Sequence, residues 1–133
     1  MKIVQLSDTL AVSQQVHPEH MEQLAAAGFQ VVINNRPDGE EAGQPSGSDI
    51  AAAAEAAGLE YHYLPVTAAS FPGEGFEAMR RLLHDTSRPV LAFCRSGTRC
   101  TNLWVASQQG QAQEEAREHA LKLGYDLSMF SRL

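Results

Sequence analysis

The chain has 133 residues, 44% of them hydrophobic and 20% charged, and carries a formal net charge of −6. That length is enough to bury a real core and too short for two domains, so a single domain over 1–133 is expected. The acidic balance excludes a surface built for nucleic acid or an anionic membrane, either of which needs a basic face.

Ile3 to Leu6 and Leu10 to Ser13 are short apolar runs separated by Ser7-Asp8-Thr9, which predicts a hairpin or two short edge strands. His17-Pro18-Glu19-His20 opens a helix, with Pro18 suited to the first turn and Glu19 to the dipole. Met21, Leu24 and Ala25 form its apolar stripe, and Gly28 ends it. Gln30 to Asn34 is nearly all β-branched, as expected of a strand buried on both faces. The polar segment Asn35 to Gly47 is a loop, and the alanine-rich Ser48 to Ala57 a helix stopped by Gly58.

Glu60 to Val66 reads as the next strand, followed by the small residues Thr67 to Ser70. Phe71 to His84 predicts a third helix, with Phe76, Met79, Leu82 and Leu83 at helical spacing. Pro89 to Phe93 is a further strand. A helix follows it over Thr101 to Gln109, its helix-compatible segment beginning near Arg99, and the last runs from Gln113 to Leu123. Strands alternating with helices predict an α/β fold in three layers. Its sheet has four or five mostly parallel strands, with helices on both faces and right-handed crossovers. Ligands in such a sheet bind beyond the carboxyl ends of the strands. Asn35 to Glu41, Thr67 to Gly75 and Cys94 to Cys100 are the loops that meet this condition.

The most informative stretch is Pro89-Val-Leu-Ala-Phe-Cys-Arg-Ser-Gly-Thr-Arg-Cys-Thr-Asn-Leu103. An apolar run delivers Cys94 into a loop of small and basic residues, and a helix begins just after it. Strand, tight loop and helix N-terminus together make an anion cradle of convergent backbone N–H groups. A cysteine at the head of such a loop acquires a depressed pKa, because its thiolate is an anion the cradle stabilises. A lone strand-end cysteine is ordinarily packing, but Arg95, Ser96, Gly97, Thr98 and Arg99 have no packing role there. Cys94 is therefore the candidate nucleophile. Arg99 can offer a planar fork to two oxygens of an anion. Ser96, Gly97 and Thr98 are small enough for loop amides to face it, and Arg95 adds charge nearby.

The loop Cys94-Arg95-Ser96-Gly97-Thr98-Arg99 resembles the cysteine–arginine signature loop of the tyrosine-phosphatase and rhodanese superfolds. Three further stretches sharpen the likeness: Val31 to Glu40, Gly58 to Val66, and Gly124-Tyr125-Asp126-Leu127. Together they resemble the phosphatase-like domain of the beta-lactamase hydrolase-like proteins, over nearly the whole chain and in the same order. The resemblance implies a tyrosine-phosphatase-like fold. It also implies hydrolysis of phosphate esters through a phosphocysteine on Cys94, with Arg99 holding the phosphoryl oxygens.

The sequence departs from the phosphatase pattern in four places. Tyrosine phosphatases place one residue more between cysteine and arginine, and the shorter spacing here looks more like a rhodanese, which carries sulfur as a cysteine persulfide. Phe93 replaces the phosphatase histidine. The aspartate general acid expected after the strand ending at Val66 is missing, since Thr67-Ala68-Ala69-Ser70 holds no carboxylate. Asp38, Glu40 and Glu41 in the neighbouring loop are the available substitutes, each equally readable as a solvated loop charge. Finally, Cys100 stands where phosphatases have Ser or Thr with its hydroxyl aimed at the nucleophile. It is either a redox partner for Cys94 or a buried filler of a serine-sized site. Sulfur transfer through a Cys94 persulfide and a non-catalytic anion-binding domain are therefore the alternative readings.

The expected partner is a small anionic substrate or a phosphoprotein. No cofactor is expected, nor a metal: His17 and His20 lie three apart with no carboxylate or cysteine to complete a set, and His62, His84 and His119 are scattered. The brief apolar stretch after Met1-Lys2 is not expected to act as a secretory signal, so a cytoplasmic location is the expectation.

Overall fold

A computed structural model describes all 133 residues. Its five strands are β1 (Ile3–Gln5), β2 (Leu10–Ser13), β3 (Val31–Asn34), β4 (Glu60–Tyr63) and β5 (Val90–Phe93). They form one sheet in the order β1-β2-β5-β3-β4. Only the β1–β2 pair is antiparallel. The three inner strands are buried along their whole length, which explains their near-continuous apolar sequence. β4 lies at an edge, where Glu60 and Tyr63 face solvent.

The helices are α1 (Met21–Ala26), introduced by a 3₁₀ turn over Pro18–His20, then α2 (Gly47–Ala56), α3 (Phe76–His84), α4 (Thr98–Ser107), α5 (Gly110–Lys122) and the short α6 (Ser128–Ser131). Because side chains alternate along a strand, the sheet buries two separate cores. Val12, Ile33, Ala92 and Cys94 pack on one face with Met79 of α3, Leu103 of α4 and Ala116 of α5. Ala11, Val32, Leu91 and Phe93 pack on the other with Leu24 of α1 and Ile50 of α2. The fold is thus the three-layer, mostly parallel α/β arrangement that the sequence predicts, with five strands.

Details differ from the sequence reading. The first two runs form the expected hairpin, β1 antiparallel to β2, but β2 is not an edge strand: it lies between β1 and β5, where the uncharged Leu10-Ala11-Val12 can be covered on both faces. α3 begins at Phe76 rather than Phe71. Pro72 lacks an N–H and Gly73 sits at φ +86°, so the preceding segment cannot hold a regular helix. α4 begins at Thr98, ahead of the expected Thr101, because Gly97 supplies its left-handed start. No helix is long and apolar enough to cross a membrane.

Candidate active site

β5, the central strand, ends by placing Cys94 at the carboxyl edge of the sheet, fully buried, in front of the N-terminus of α4. Gly97 turns the chain into that helix at φ +92°. A side chain there would meet only ordinary contacts, Ser13 O at 3.6 Å and Tyr125 Oη at 3.7 Å. The glycine is therefore required by backbone conformation rather than by space. In that conformation the Gly97 amide donates to Cys94 Sγ at 3.1 Å. The loop is tied down on both sides: Gln15 N donates to Arg95 O at 3.3 Å, and Thr101 Oγ1 to Gly97 O at 2.8 Å.

Cys94 is drawn down from the ordinary thiol value of 9.0 to about 6. The largest cause is a hydrogen bond from the Cys100 thiol. Burial opposes it, and the amides of Cys100, Ser96 and Gly97 add to it. Cys100 moves the opposite way. Complete burial, and then the neighbouring Cys94 sulfur, push its thiol well up, so it stays protonated and donates. These donors favour the Cys94 thiolate against the cost of burial.

Arg99, in the first turn of α4, reaches across to the loop after β3. Its Nη1 donates to Glu40 Oε2 at 2.9 Å and to Val66 O at 3.1 Å, and its Nη2 to Glu40 Oε1 at 2.8 Å. Nε and the remaining Nη2 hydrogen bond no protein acceptor. They form a planar two-donor edge suited to a pair of anion oxygens. Ser96 Oγ donates to Thr98 Oγ1 at 3.1 Å on the rim of the loop, and Arg95 points outward, its side chain 68% exposed and 3.7 Å from Glu41.

The carboxylates of the loop after β3 have other partners. Asp38 Oδ1 accepts the amide of Gly47, the first residue of α2, at 2.7 Å, beside the helix's own cap, Ser46 Oγ on the Asp49 amide at 3.1 Å. Glu40 is held between two arginines, accepting from Arg36 Nε at 3.0 Å as well as from Arg99. Burial works to raise its pKa, but the hydrogen bonds and charges of Arg99 and Arg36 outweigh it, and Glu40 stays ionised below the usual carboxylate range. The connection after β4 contributes Val66 O to Arg99, while Thr67 and Ser70 bond to each other. His20 Nδ1 accepts the His17 amide at 3.0 Å, a local cap that occupies the histidine nitrogen facing its neighbour.

Sequence reasoning passed over Arg36 and Gln15. Arg36 is 2% exposed and donates from Nη1 to Gln15 Oε1 at 3.0 Å. The available signal was an arginine directly after a buried strand and four residues ahead of Glu40. Also unforeseen is a cavity of about 280 Å³ on the other side of the loop, lined by Lys2, Val4, Ser13, Gln14, Ser96 and Tyr125 among others.

Residues 2–111 match the family described as beta-lactamase hydrolase-like protein, phosphatase-like domain. Beta-lactamase hydrolase-like proteins of Xylella fastidiosa (strain Temecula1) and Agrobacterium fabrum are 37% and 34% identical over 96% and 99% of this chain. The chain spans only 30% and 31% of those relatives' length. A crystal structure of a candidate phosphatase from Neisseria meningitidis superposes with a TM-score of 0.78 at 36% identity, covering 99% of this chain and 95% of that one. Human DUSP28 shares the fold alone, with a TM-score of 0.70 at 16% identity over 98% of this chain and 88% of its own. With its cysteine loop, its sheet order and these matches, the chain belongs to the phosphatase-like domain family of the beta-lactamase hydrolase-like proteins.

Proposed function

We propose that the protein is a cysteine-dependent phosphatase-like hydrolase of phosphate esters. The observation that carries the reading is the Cys94 sulfur, buried at the carboxyl end of β5 and accepting the Gly97 amide at 3.1 Å, with Arg99 in the first turn of the helix that follows. The Cys94 thiolate attacks phosphorus, the S–P bond forms, and the ester P–O bond breaks with its electron pair going to the leaving oxygen. Water then attacks phosphorus and releases the thiolate with inorganic phosphate. Loop amides and Arg99 stabilise the charge on the equatorial oxygens. Asp38 is engaged with the Gly47 amide and Glu40 with two arginines, so esters whose leaving group departs unprotonated, such as aryl phosphates, are the favoured substrates. An aryl phosphate should turn over, leave a phosphoryl adduct on Cys94 visible by mass spectrometry, and be inert towards C94S. Retained turnover in C94S would refute the reading.

The same two carboxylate placements favour a second reading, sulfur transfer. The Cys94 thiolate attacks the outer sulfur of thiosulfate, the S–S bond breaks, and sulfite leaves with the electron pair and needs no proton. The resulting persulfide passes its outer sulfur to a nucleophile such as cyanide, regenerating the thiolate. Only four residues separate Cys94 and Arg99, as this reading favours. Thiocyanate formation, with a persulfide adduct on Cys94 and no aryl phosphatase activity, would establish it. Sulfate binding without turnover of either donor would leave an anion-binding domain.

The Cys100 contact supports a redox role in either chemistry. Peroxide oxidises the Cys94 thiolate to a sulfenic acid, and Cys100 sulfur displaces its oxygen as water to give a disulfide, which thiol reductants reopen. Mild peroxide should therefore inactivate reversibly, and C100S should lose protection from over-oxidation. Full recovery of C100S would reduce Cys100 to a donor and filler.

A further inference from the structure

Three guanidiniums surround the cysteine loop and are not equivalent. Arg95 is solvated and Arg99 is paired with Glu40, but Arg36 is 2% exposed. A charge at that depth is costly unless it is paired, and removing its partner leaves it uncompensated. Nε of Arg36 meets Glu40 Oε1 at 3.0 Å and Nη1 meets Gln15 Oε1 at 3.0 Å. Nη2 lies 3.6 Å from Glu41 and, though buried, makes no hydrogen bond. Glu40 Oε1 is thereby shared between Arg36 and Arg99, while Oε2 is held by Arg99 Nη1.

Glu40 stands on a loop with little regular structure, one residue after Gly39 at φ +76°. Its side chain owes its placement to the two arginines, and its amide to Gln44 Oε1 at 3.1 Å. Arg99 is long, and apart from Glu40 only Val66 O holds it. Charge bears on the same point. Alone, Glu40 would cancel Arg99; with Arg36 and with Arg95, which shares Glu41 with it, three arginines against two carboxylates keep one net positive charge for an anion.

We propose that Arg36 is a positioning residue: acting through Glu40, it fixes the Arg99 guanidinium so that its Nε–Nη2 edge stays turned to the anion bound at the Cys94 loop. The proposal rests on the reading of Arg99 as the holder of the transferred group's oxygens. It applies equally to phosphoryl and sulfur chemistry.

The test compares alkylation of Cys94 by iodoacetate, whose carboxylate the cradle should guide, with alkylation by the neutral iodoacetamide. Both rates are measured near pH 8, above the Cys94 midpoint of about 6. The parent should prefer iodoacetate. R36Q should lower the iodoacetate to iodoacetamide ratio by roughly tenfold while leaving the iodoacetamide rate at the parental value, which a merely structural loss would not do. In an E40Q background the same R36Q change should leave the ratio unaltered, since its route to Arg99 is gone. R36M fills the buried volume without a charge and serves if R36Q fails to fold. A parental ratio in folded R36Q or R36M would overturn the proposal, as would an undiminished R36Q effect in E40Q. A parent without preference for iodoacetate would instead overturn the anion-cradle reading, and this proposal with it.

Discussion

The hydrogen bond from the Cys100 thiol is the largest single influence holding the Cys94 sulfur near 6, and the loop amides supply the rest against the cost of burial. C100A removes that donor, so the pH midpoint of Cys94 alkylation by iodoacetamide should rise toward the ordinary thiol value. C100S keeps a donor and should stay near the parent; equal midpoints in C100A and the parent would show that the amides suffice. Asp38 makes a contrasting case. Its carboxylate accepts the Gly47 amide where α2 starts, next to the Ser46 cap. D38A removes one hydrogen bond to the first turn of α2 and should cost about 1 kcal/mol in urea denaturation while leaving kcat within a small factor. Loss of a basic limb from the kcat–pH profile in D38A would instead identify Asp38 as the proton donor.

At the scale of elements, the site depends on the β5–loop–α4 unit, and Gly97 is its hinge point at φ +92°. G97A meets no clash at the added Cβ, so its cost is conformational, about 1–3 kcal/mol for a non-glycine residue held there. Denaturant unfolding measures that cost. If the loop relaxes instead, the alkylation rate of Cys94 at neutral pH should drop as its amides turn away. This unit was legible in the sequence because every signal in it is local: an apolar run, then a cysteine, then small residues and a helix start. The inner position of β2 was not legible, since Leu10 to Ser13 reads alike at an edge or inside, and only pairing with β5 decides it. The roles of Asp38 and Glu40 were equally hidden. A carboxylate in a loop carries no local mark that distinguishes proton donor from tether. The arginine that pairs with Glu40 lies 59 residues away. Arg36, four residues from Glu40, was within reach of a spacing argument, but its burial depends on how β3, Gln15 and the cysteine loop meet.

On the scale of the whole molecule, Cys94 and Cys100 both belong to the core on the α3–α5 side of the sheet, while Phe93, one residue earlier, belongs to the core on the other. Ionisation of the nucleophile is therefore linked to global stability through the proton balance of folding. The folded Cys94 titrates near 6 and the unfolded thiol near 9.0. Between those values the unfolded chain holds a proton that the folded chain has released. Stability from this group is thus fully present above about 9.0 and is lost as pH falls through about 6. Cys100 acts with the opposite sign but only at higher pH, because its folded thiol stays protonated beyond the value at which the unfolded one ionises. C94S removes the first effect while keeping a small polar side chain in place. The parent's stability relative to C94S, measured by urea unfolding, should therefore climb steadily between about pH 6 and pH 9. A flat difference across that window would mean that the folded sulfur ionises no more readily than a free thiol, and the cradle would lose its electrostatic basis.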